Sequence, residues 1–523
     1  MIRNYIPHAY FLSMALVVCG LSTSMFLMSI GSIGMFITWI AEGSFRKKIT
    51  TLKSDKRIIW MIAFYLVHVF ALLYTSNFDY AFKDLRIKLP LLIFPLILGT
   101  MPPIKKRQID ILFILFIASV TFSSFCSYLV YRDIISVDRD VNDARTISRF
   151  ISHIRLSMNI CMSVLLLFFY FRNNDAKNLI IKMLLAFWFL YFLFILESAT
   201  GYMILFFCTL AACCYYAVLA QKAISRVIAI SMLGVIFISA CLFFYFIVTN
   251  YYQPRDLDIS NLDQRTKYGE IYQHDTTNLQ LENGYYIWMY IAQVELEESW
   301  NKRSEFSYTS LDKKGQPVKW TLIRYMTSKG LRKDRDGVSA LTNEDVANIE
   351  NGITSVDANA NSGLVRRIKV ILFEFDSYFR GITPNGNSVT QRFEYWRVGW
   401  SLFSDNMLIG VGTGDVNDEY RKQYRKIKSE LIFKYRNRAH NQFLTVCISF
   451  GIIGFIVFVI SLFIPFYKTK LSREILYILF FTLLMVSMMG EDTLETQAGV
   501  TFTAFFTSFL VFQCFRNITE DKV

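Results

Sequence analysis

Long uninterrupted apolar runs restrict the fold of this chain more than any other feature. The first, at 10–41, contains no charged residue. About 20 apolar residues are enough for a helix to cross the hydrocarbon core of a bilayer, which is about 30 Å thick. Further runs lie at 58–76, 85–100, 108–131, 150–171, 178–196, 199–220, 226–248, 441–467, 474–489 and 498–515. If 10–41 forms two short spans that separate near Gly31, the sequence predicts an all-α polytopic membrane protein with about 12 transmembrane helices.

Positive charges between the runs predict the orientation of the chain. With the N-terminus in the cytoplasm, the loops predicted inside carry clusters of Lys and Arg, as at 46–57 and 105–107. The loops at 197–201 and 490–497, predicted outside, carry none, and the outside loop 132–149 balances four Arg with four Asp. Cytoplasmic loops of membrane proteins show this enrichment in Lys and Arg. The bias requires a hairpin in the first run and places the large polar segment outside.

The ends of the apolar runs predict three domains. These are a bundle of about nine helices at 1–248, a mainly helical loop domain at 249–440, and about three helices at 441–523. Within the loop domain, Thr342 is placed as an N-cap with Asp345 at the third helical position, which predicts a short helix at 343–351. Helical spacing also predicts helices at 286–300, 363–380 and 388–405.

Several classes of function lack the residues they need. All nine cysteines fall inside apolar runs, which argues against a disulfide framework or a cysteine-ligated metal. The sequence has no H-E-x-x-H, P-loop or G-x-S-x-G motif. Its formal net charge of +13 is explained better by membrane topology than by nucleic-acid binding. We therefore expect no metal, no cofactor and no nucleic-acid partner.

Cations and one histidine gather where the chain returns to the membrane. The motifs are Q-R-F-E-Y-W-R at 391–397, G-V-G-T-G-D at 410–415 and R-N-R-A-H-N at 436–441. Imidazole titrates near neutral pH and can take a proton from a hydroxyl, and guanidinium binds phosphate oxygens with a planar fork. Such a set suits a reaction in which a hydroxyl attacks and a diphosphate leaves. The alternatives are an ordinary interfacial histidine, arginines that bind lipid headgroups, and glycines that only form tight turns.

Two more basic groups are predicted on the outer side. Arg86 and Lys88 open a short run that contains Pro90 and Pro95 and is therefore predicted to be broken. Broken backbone at membrane depth is tolerated where protein or a cavity surrounds it, so charges there indicate a ligand site or side chains that extend to the headgroups. His153 and Arg155 begin the run at 150–171.

In this order, the features resemble those of the O-antigen ligase and O-antigen polymerase family. That family has about twelve spans, and its large periplasmic loop carries an Arg before a Trp-containing helix. A D-N-P-L-x-G-x-G-like turn follows, then a His-Asn pair and G-I-I-G. The matching residues are Arg392, Trp396, S-D-N-M-L-I-G-V-G-T-G-D at 404–415, His440-Asn441 and G-I-I-G at 451–454. The stretches 322–334 and 491–500 also look like a branch of this family.

The resemblance implies a GT-C-like glycosyltransferase of the bacterial inner membrane, with its loop in the periplasm. Its donor would be a glycan on undecaprenyl diphosphate, and its acceptor a sugar hydroxyl of lipid A-core (ligase) or a second lipid-linked glycan (polymerase). It implies His440 and Arg392 as catalytic groups. The residues implied to hold the diphosphate are Arg86, Lys88, Arg155, Arg397, Arg436 and Arg438, and the supporting residues are Asn441, His153, Gly412, Gly414 and Asp415.

Two departures from the family pattern affect this interpretation. Many members have Ser-Arg at the outer start of a middle helix, where this chain has E-S-A-T-G-Y at 197–202. Either Arg155 or another basic residue substitutes, or the donor is bound differently. Met407 also replaces the proline of the turn. A polysaccharide or lipid transporter or flippase is the alternative of another class, but it predicts related halves that the sequence lacks.

Overall fold

The computed structural model describes residues 5–135, 147–172, 175–254, 259–356, 363–467 and 469–516. Much of the predicted outside loop 132–149 lies beyond these ranges. The first half contains α1 (Ile6–Thr23), α2 (Met25–Glu42), α3 (Phe45–Ser54), α4 (Lys56–Phe70), α5 (Phe78–Lys88), α6 (Pro90–Thr100), α7 (Lys106–Tyr131), α8 (His153–Leu165), α9 (Ala176–Leu196), α10 (Ala199–Leu219) and α11 (Ala223–Tyr252).

The second half begins with a small polar region and returns to apolar helices. Its elements are β1 (Leu281–Glu282), β2 (Tyr285–Tyr286), α12 (Gln293–Asn301), α13 (Val318–Ser328), α14 (Arg335–Ser339), α15 (Asn343–Glu350), α16 (Gly363–Phe379), α17 (Thr390–Asp405), α18 (Val416–Lys426), α19 (Gln442–Phe463), α20 (Ile475–Gly490) and α21 (Gln497–Phe509).

Ten helices in the described ranges are long and apolar enough to cross a membrane, so the chain is a multi-pass membrane protein. Two of the twelve predicted runs do not form such helices. The run at 474–489 gives the shorter α20. The run at 85–100 breaks at Leu89, before Pro90, and leaves α6, whose 11 residues reach roughly 16 Å. The predicted break in that run is therefore confirmed.

The first run forms a hairpin, but its turn lies at Ser24 and not near Gly31. The hydroxyl of Ser24 caps α2 by accepting a hydrogen bond from the amide of Leu27 (3.3 Å). Gly31 instead lets α1 and α2 pack closely, since a Cβ there would lie 2.7 Å from the carbonyl oxygen of Ser13. Small residues at the contact between membrane helices have this effect.

The chain divides into two compact units. Unit 1 comprises residues 1–233 and 392–523, and unit 2 comprises residues 234–391. In unit 1, α21 is the most enclosed apolar helix, with 83% of its span buried. The stretch 392–440, which sequence boundaries put in the loop domain, is grouped with the membrane helices of unit 1.

Unit 2 has its own apolar core and contains helices that the sequence predicts. The core is built around Trp300, Tyr325 and Leu322. Helix α15 begins after Thr342, which forms a capping box with Asp345 (3.1 and 2.7 Å), as predicted.

The predicted helix 286–300 is wrong in its first half, because α12 begins only at Gln293. Strands β1 and β2 precede it and are joined by Asn283-Gly284, both with positive φ. Asn-Gly is the preferred pair for such a two-residue hairpin turn. Local turn chemistry therefore overrides the helical spacing of the apolar residues.

Candidate active site

Helix α19 bends sharply at Gly451, and a loop of the chain fills the bend. Gly451 has φ 62° and ψ −164°, outside the helical region. The amide of Gly412 donates to the carbonyl of Ser449 (2.9 Å), and the amide of Ile452 donates to the carbonyl of Met407 (2.8 Å). A break in a membrane helix is stable where its freed backbone groups find such partners. The two glycine-containing motifs of the sequence therefore form one structural joint.

The far end of this loop is tied to the segment after α4. The amide of Gly414 donates to the hydroxyl of Thr75 (2.8 Å), and the carboxylate of Asp415 accepts from the backbone amide of Asn77 (2.8 Å). Gly412 has φ 95°, a conformation that favours glycine. The glycines therefore form tight turns, and Asp415 anchors them to the first half of the chain.

His440 lies immediately before α19 in a strained backbone conformation. Its φ is 47°, in the left-handed region that costs a residue with a Cβ about 1–2 kcal/mol. The indole of Trp396 donates to the carbonyl of Ala439 (2.9 Å), and Asn441 donates from its side chain to the carbonyl of Met489 (3.1 Å). Bonds on both sides of His440 therefore hold the strained residue in place, as is common at functional sites.

Glu491 connects His440 to Arg392. Its Oε1 accepts from Nη2 of Arg392 at 2.7 Å, and its Oε2 accepts from Nδ1 of His440 at 3.2 Å. The carboxylate is nearly buried, whereas the side chains of Arg392 and His440 are 32% and 36% exposed. The two predicted catalytic residues are thus brought together by one carboxylate, and both reach the surface.

Glu495 gathers a second pair of predicted cations. Nη1 of Arg438 donates to its carboxylate at 2.8 Å, and Nζ of Lys88 lies 3.1 Å from it. Lys88 also donates to both oxygens of Asp84, and Arg438 donates to the hydroxyl of Tyr80. Both positive charges are therefore compensated by carboxylates within the folded chain.

Arg155 approaches the same acidic turn from α8. Its Nε donates to the hydroxyl of Thr496 (3.2 Å), and its Nη2 donates to the carbonyl of Asp492 (3.1 Å). The residue is only 6% exposed, and its Nη1 has no hydrogen-bond partner among the described residues. A buried guanidinium nitrogen without an acceptor is costly, so this donor is available to an anion.

Charges in this cluster set the protonation states of the central pair. Burial lowers the pKa of His440, but the hydrogen bond to Glu491 and the charges of Glu491 and Asp492 outweigh it and raise that pKa. Burial raises the pKa of Glu491, but His440 and Arg392 lower it below its usual range. Glu491 is therefore ionised at neutral pH and only accepts hydrogen bonds. Nδ1 of His440 must donate to it, which leaves Nε2 of the neutral imidazole as the basic nitrogen.

The pKa values of the other two carboxylates in the turn, Glu495 and Asp492, shift in opposite directions. Burial raises the pKa of Glu495, but the nearby charges of Lys88 and Arg438 bring it down to about 2. Burial and the charge of Glu495 raise the pKa of Asp492. Glu495 therefore remains an anion, whereas Asp492 is the carboxyl most easily protonated.

Four predicted site residues lie apart from this cluster. Arg86 is exposed, makes no hydrogen bond or ion pair with the described part of the chain, and lies on the face of α5 opposite Asp84. Arg397 pairs with Glu394 on α17 (2.6 and 2.8 Å). Arg436 donates to the carbonyl of Leu431 (2.7 Å). His153 begins α8 and is half-buried.

Sequence reasoning missed the acidic residues that organise the site. Glu491, Asp492 and Glu495 entered the sequence analysis only as part of the stretch 491–500 and were given no role of their own. The available signal was E-D-T-L-E-T at 491–496, which places three carboxylates in a short turn between two apolar runs. No group of three or more His, Cys, Asp or Glu with metal-binding geometry occurs within the described ranges.

Part of the chain, including the candidate site, matches a known family. Residues 349–459 match the family model described as O-antigen ligase. This match, over part of the chain, supports an assignment to the O-antigen ligase/polymerase family. No curated protein matches the chain significantly. The matched segment contains Arg392, His440 and the glycine loop. The cations of α5 and α8 and the acidic turn lie outside the match.

Proposed function

We propose that this chain transfers a glycan from undecaprenyl diphosphate to a sugar hydroxyl on the periplasmic face of the inner membrane, with lipid A-core as the acceptor. The observation that carries the proposal is the bridge formed by Glu491. It holds a base, His440, and a phosphate-binding group, Arg392, at one partly exposed site. A hydroxyl acceptor and a diphosphate leaving group need these two groups side by side.

The transfer step follows from the roles of these groups. Nε2 of His440 accepts the proton of the acceptor hydroxyl while its oxygen forms a bond to the anomeric carbon of the donor. The bond from that carbon to the diphosphate oxygen breaks, and the oxygen keeps the electron pair. Glu491 stabilises the imidazolium that results, as a carboxylate does in other base–carboxylate pairs. The proton later leaves to solvent.

The leaving diphosphate requires cationic donors that reach the surface or keep a nitrogen without a partner. Arg392 has one nitrogen on Glu491 and reaches the surface with the rest of its guanidinium. Arg155 presents its unpaired Nη1. We assign the diphosphate to these two arginines. Lys88 and Arg438 then act mainly by fixing the acidic turn through Glu495.

Arg155 can also substitute for the arginine that many family members carry at the position of 197–202. In the folded chain, Ser198 lies beside α8, where its hydroxyl donates to that of Ser157 (2.9 Å). Arg155 is two residues earlier on the same helix. A guanidinium from α8 is thus available next to the start of α10, the place where many family members carry theirs.

A deletion strain tests the proposal and separates ligase from polymerase. Loss of the ligase leaves long chains on the lipid carrier and bare core on the cell surface. Loss of the polymerase leaves core with single repeats. We expect the ligase pattern, restored by the wild-type chain and not by His440→Ala expressed at an equal level. Normal surface glycan in the His440→Ala strain would refute the role given to His440.

A further inference from the structure

The loop that fills the bend of α19 exposes three successive apolar side chains. Met407, Leu408 and Ile409, called here the apolar tip, are 49%, 69% and 51% exposed. The next two residues, Gly410 and Val411, are buried. Neighbouring apolar side chains without cover mark a surface that contacts a membrane or another protein. The transfer chemistry does not use this surface.

The apolar tip is attached directly to a membrane helix. The carbonyls of Met407 and Leu408 accept from the amides of Ile452 and Ile453 in α19, at 2.8 and 3.3 Å respectively. The side chains of Ile452 and Ile453 are exposed as well, and α19 is long and apolar enough to cross the bilayer. Exposed apolar side chains within a membrane span face lipid. The apolar tip therefore continues the lipid-facing surface of α19.

The carbonyls of this loop are paired within the fold. The carbonyl of Asn406 accepts from the amide of Gly410 (3.0 Å), and that of Ile409 accepts from the hydroxyl of Tyr74 (2.7 Å). With the two bonds to α19, each of the four carbonyls from 406 to 409 has a partner. An unpaired carbonyl would be costly in hydrocarbon, where no water can replace the missing bond. Insertion of the apolar tip therefore leaves none of these four carbonyls unpaired in lipid.

Charged and aromatic neighbours limit how deeply the loop enters the bilayer. Asp405, at the end of α17, pairs with Lys426 of α18 at 2.6 Å, and both side chains are exposed. Exposed charges are costly in hydrocarbon and belong at the headgroups. Trp400, earlier on α17, is also exposed, and tryptophan is enriched at the boundary between headgroups and acyl chains. These neighbours favour a shallow insertion, of about 5–10 Å.

From these contacts we propose that the apolar tip inserts into the leaflet nearest the candidate site, where lipid acyl chains cover it. Asp405 and Lys426 then lie among the headgroups. The sequence boundaries place this segment in the loop domain outside the membrane, so its insertion adds a membrane contact beyond the spans. Lipid is favoured over a protein partner because the tip is continuous with the lipid-facing side of α19. The proposal requires only that α19 crosses the membrane and does not depend on glycan transfer.

Quenching of tryptophan fluorescence by brominated lipid tests this contact. The full-length chain is placed, one copy per nanodisc, in phosphatidylcholine with ordinary or with brominated acyl chains. Leu408→Trp adds one indole to the eight native ones, and the fluorescence it adds over the wild type should be several times lower in brominated lipid. Ile456→Trp, exposed on α19, is the quenched control, and Lys302→Trp, at an exposed polar position, is the unquenched one. Quenching at 456 without quenching at 408 would overturn the proposal.

Nanodiscs that hold two chains distinguish lipid from a second copy of the chain. If lipid covers the apolar tip, the fluorescence added by Leu408→Trp is quenched equally in discs with one chain and with two. Loss of the quenching in two-chain discs would show that a second copy covers the tip, and would contradict the assignment. Ile409→Trp tests the same surface should Leu408→Trp fail to fold, and its added fluorescence should be quenched in the same way.

Discussion

Nδ1 of His440 donates to Oε2 of Glu491 at 3.2 Å, across 51 residues of sequence. The other carboxylate oxygen is 2.7 Å from Arg392. The contact orients the imidazole, sets its tautomer and raises its pKa. The basic nitrogen of the site therefore depends on a residue that lies outside the matched family segment.

Glu491→Gln should move the acidic limb of the pH–rate profile of transfer to lower pH. The carboxylate raises the pKa of His440, so its removal lowers that pKa, and the neutral imidazole then persists at lower pH. The pKa of His440 can be followed by NMR of labelled histidine, with His440→Ala to assign the signal. Glu394→Gln, a carboxylate that pairs with Arg397 instead, is the matched control and should leave the pKa of His440 in place.

Arg392→Lys should reduce transfer although the positive charge is kept. Lysine cannot hold the Glu491 carboxylate and a phosphate oxygen with one planar group. We expect the loss mainly in kcat, on the order of tenfold, in a purified transfer assay. Arg421→Lys on α18, whose side chain is 63% exposed, is the control. Wild-type rates in Arg392→Lys would show that the fork geometry is not used.

Gly451→Ala should destabilise the joint between α19 and the glycine loop. A Cβ there would be strained by φ 62° and would also collide with the backbone of Leu408. Gly43→Ala is the matched control, because Gly43 has φ 71° but nothing within 4 Å of the added Cβ. In thermal unfolding, we expect about 1 kcal/mol of destabilisation for Gly43→Ala and clearly more for Gly451→Ala. Equal losses of stability in the two variants would contradict this prediction. They would show that the backbone of Leu408 moves away from the added Cβ at no cost.

Lys333→Met should stabilise unit 2 at pH 7 and below. Burial lowers the pKa of Lys333 to about 7, and only the carbonyl of Tyr286 accepts from its amine among the described residues, at 3.3 Å. The unfolded chain binds this proton up to a higher pH, so the stability of unit 2 rises as pH increases above about 7. Near neutral pH, the free energy of unfolding of the variant should be a few kcal/mol higher than that of the wild type. Its stability should no longer rise with pH above about 7. The control Lys302→Met, at an exposed position, should change neither the stability at neutral pH nor its dependence on pH.

The apolar helices and the break before Pro90 were predictable, because both follow from local sequence. Length and hydropathy define a span, and a proline lacks the amide that a helix interior needs. The turn at Ser24 was not predictable from run length, since Gly31 supplies an equally plausible break and is needed for packing. The hairpin at Asn283-Gly284 had a local signal, which the helical spacing of nearby aromatics obscured.

The site was predictable only in part. The order of motifs pointed to His440 and Arg392, but nothing in that order shows that one carboxylate joins them across 51 and 99 residues. From their charge alone, Lys88, Arg438 and Arg155 are equally good candidates to bind the diphosphate. The fold separates them, because Glu495 neutralises the first two and one nitrogen of Arg155 stays unpaired.

The most direct test of the central claim is transfer by the purified chain in nanodiscs, with a polyprenyl-diphosphate oligosaccharide as donor and lipid A-core as acceptor. Mass spectrometry follows the glycosylated product and the released polyprenyl diphosphate together. We predict equal amounts of both for the wild-type chain, and at least about a hundredfold slower formation for His440→Ala with donor binding retained. Product formation by His440→Ala at the wild-type rate would contradict the account.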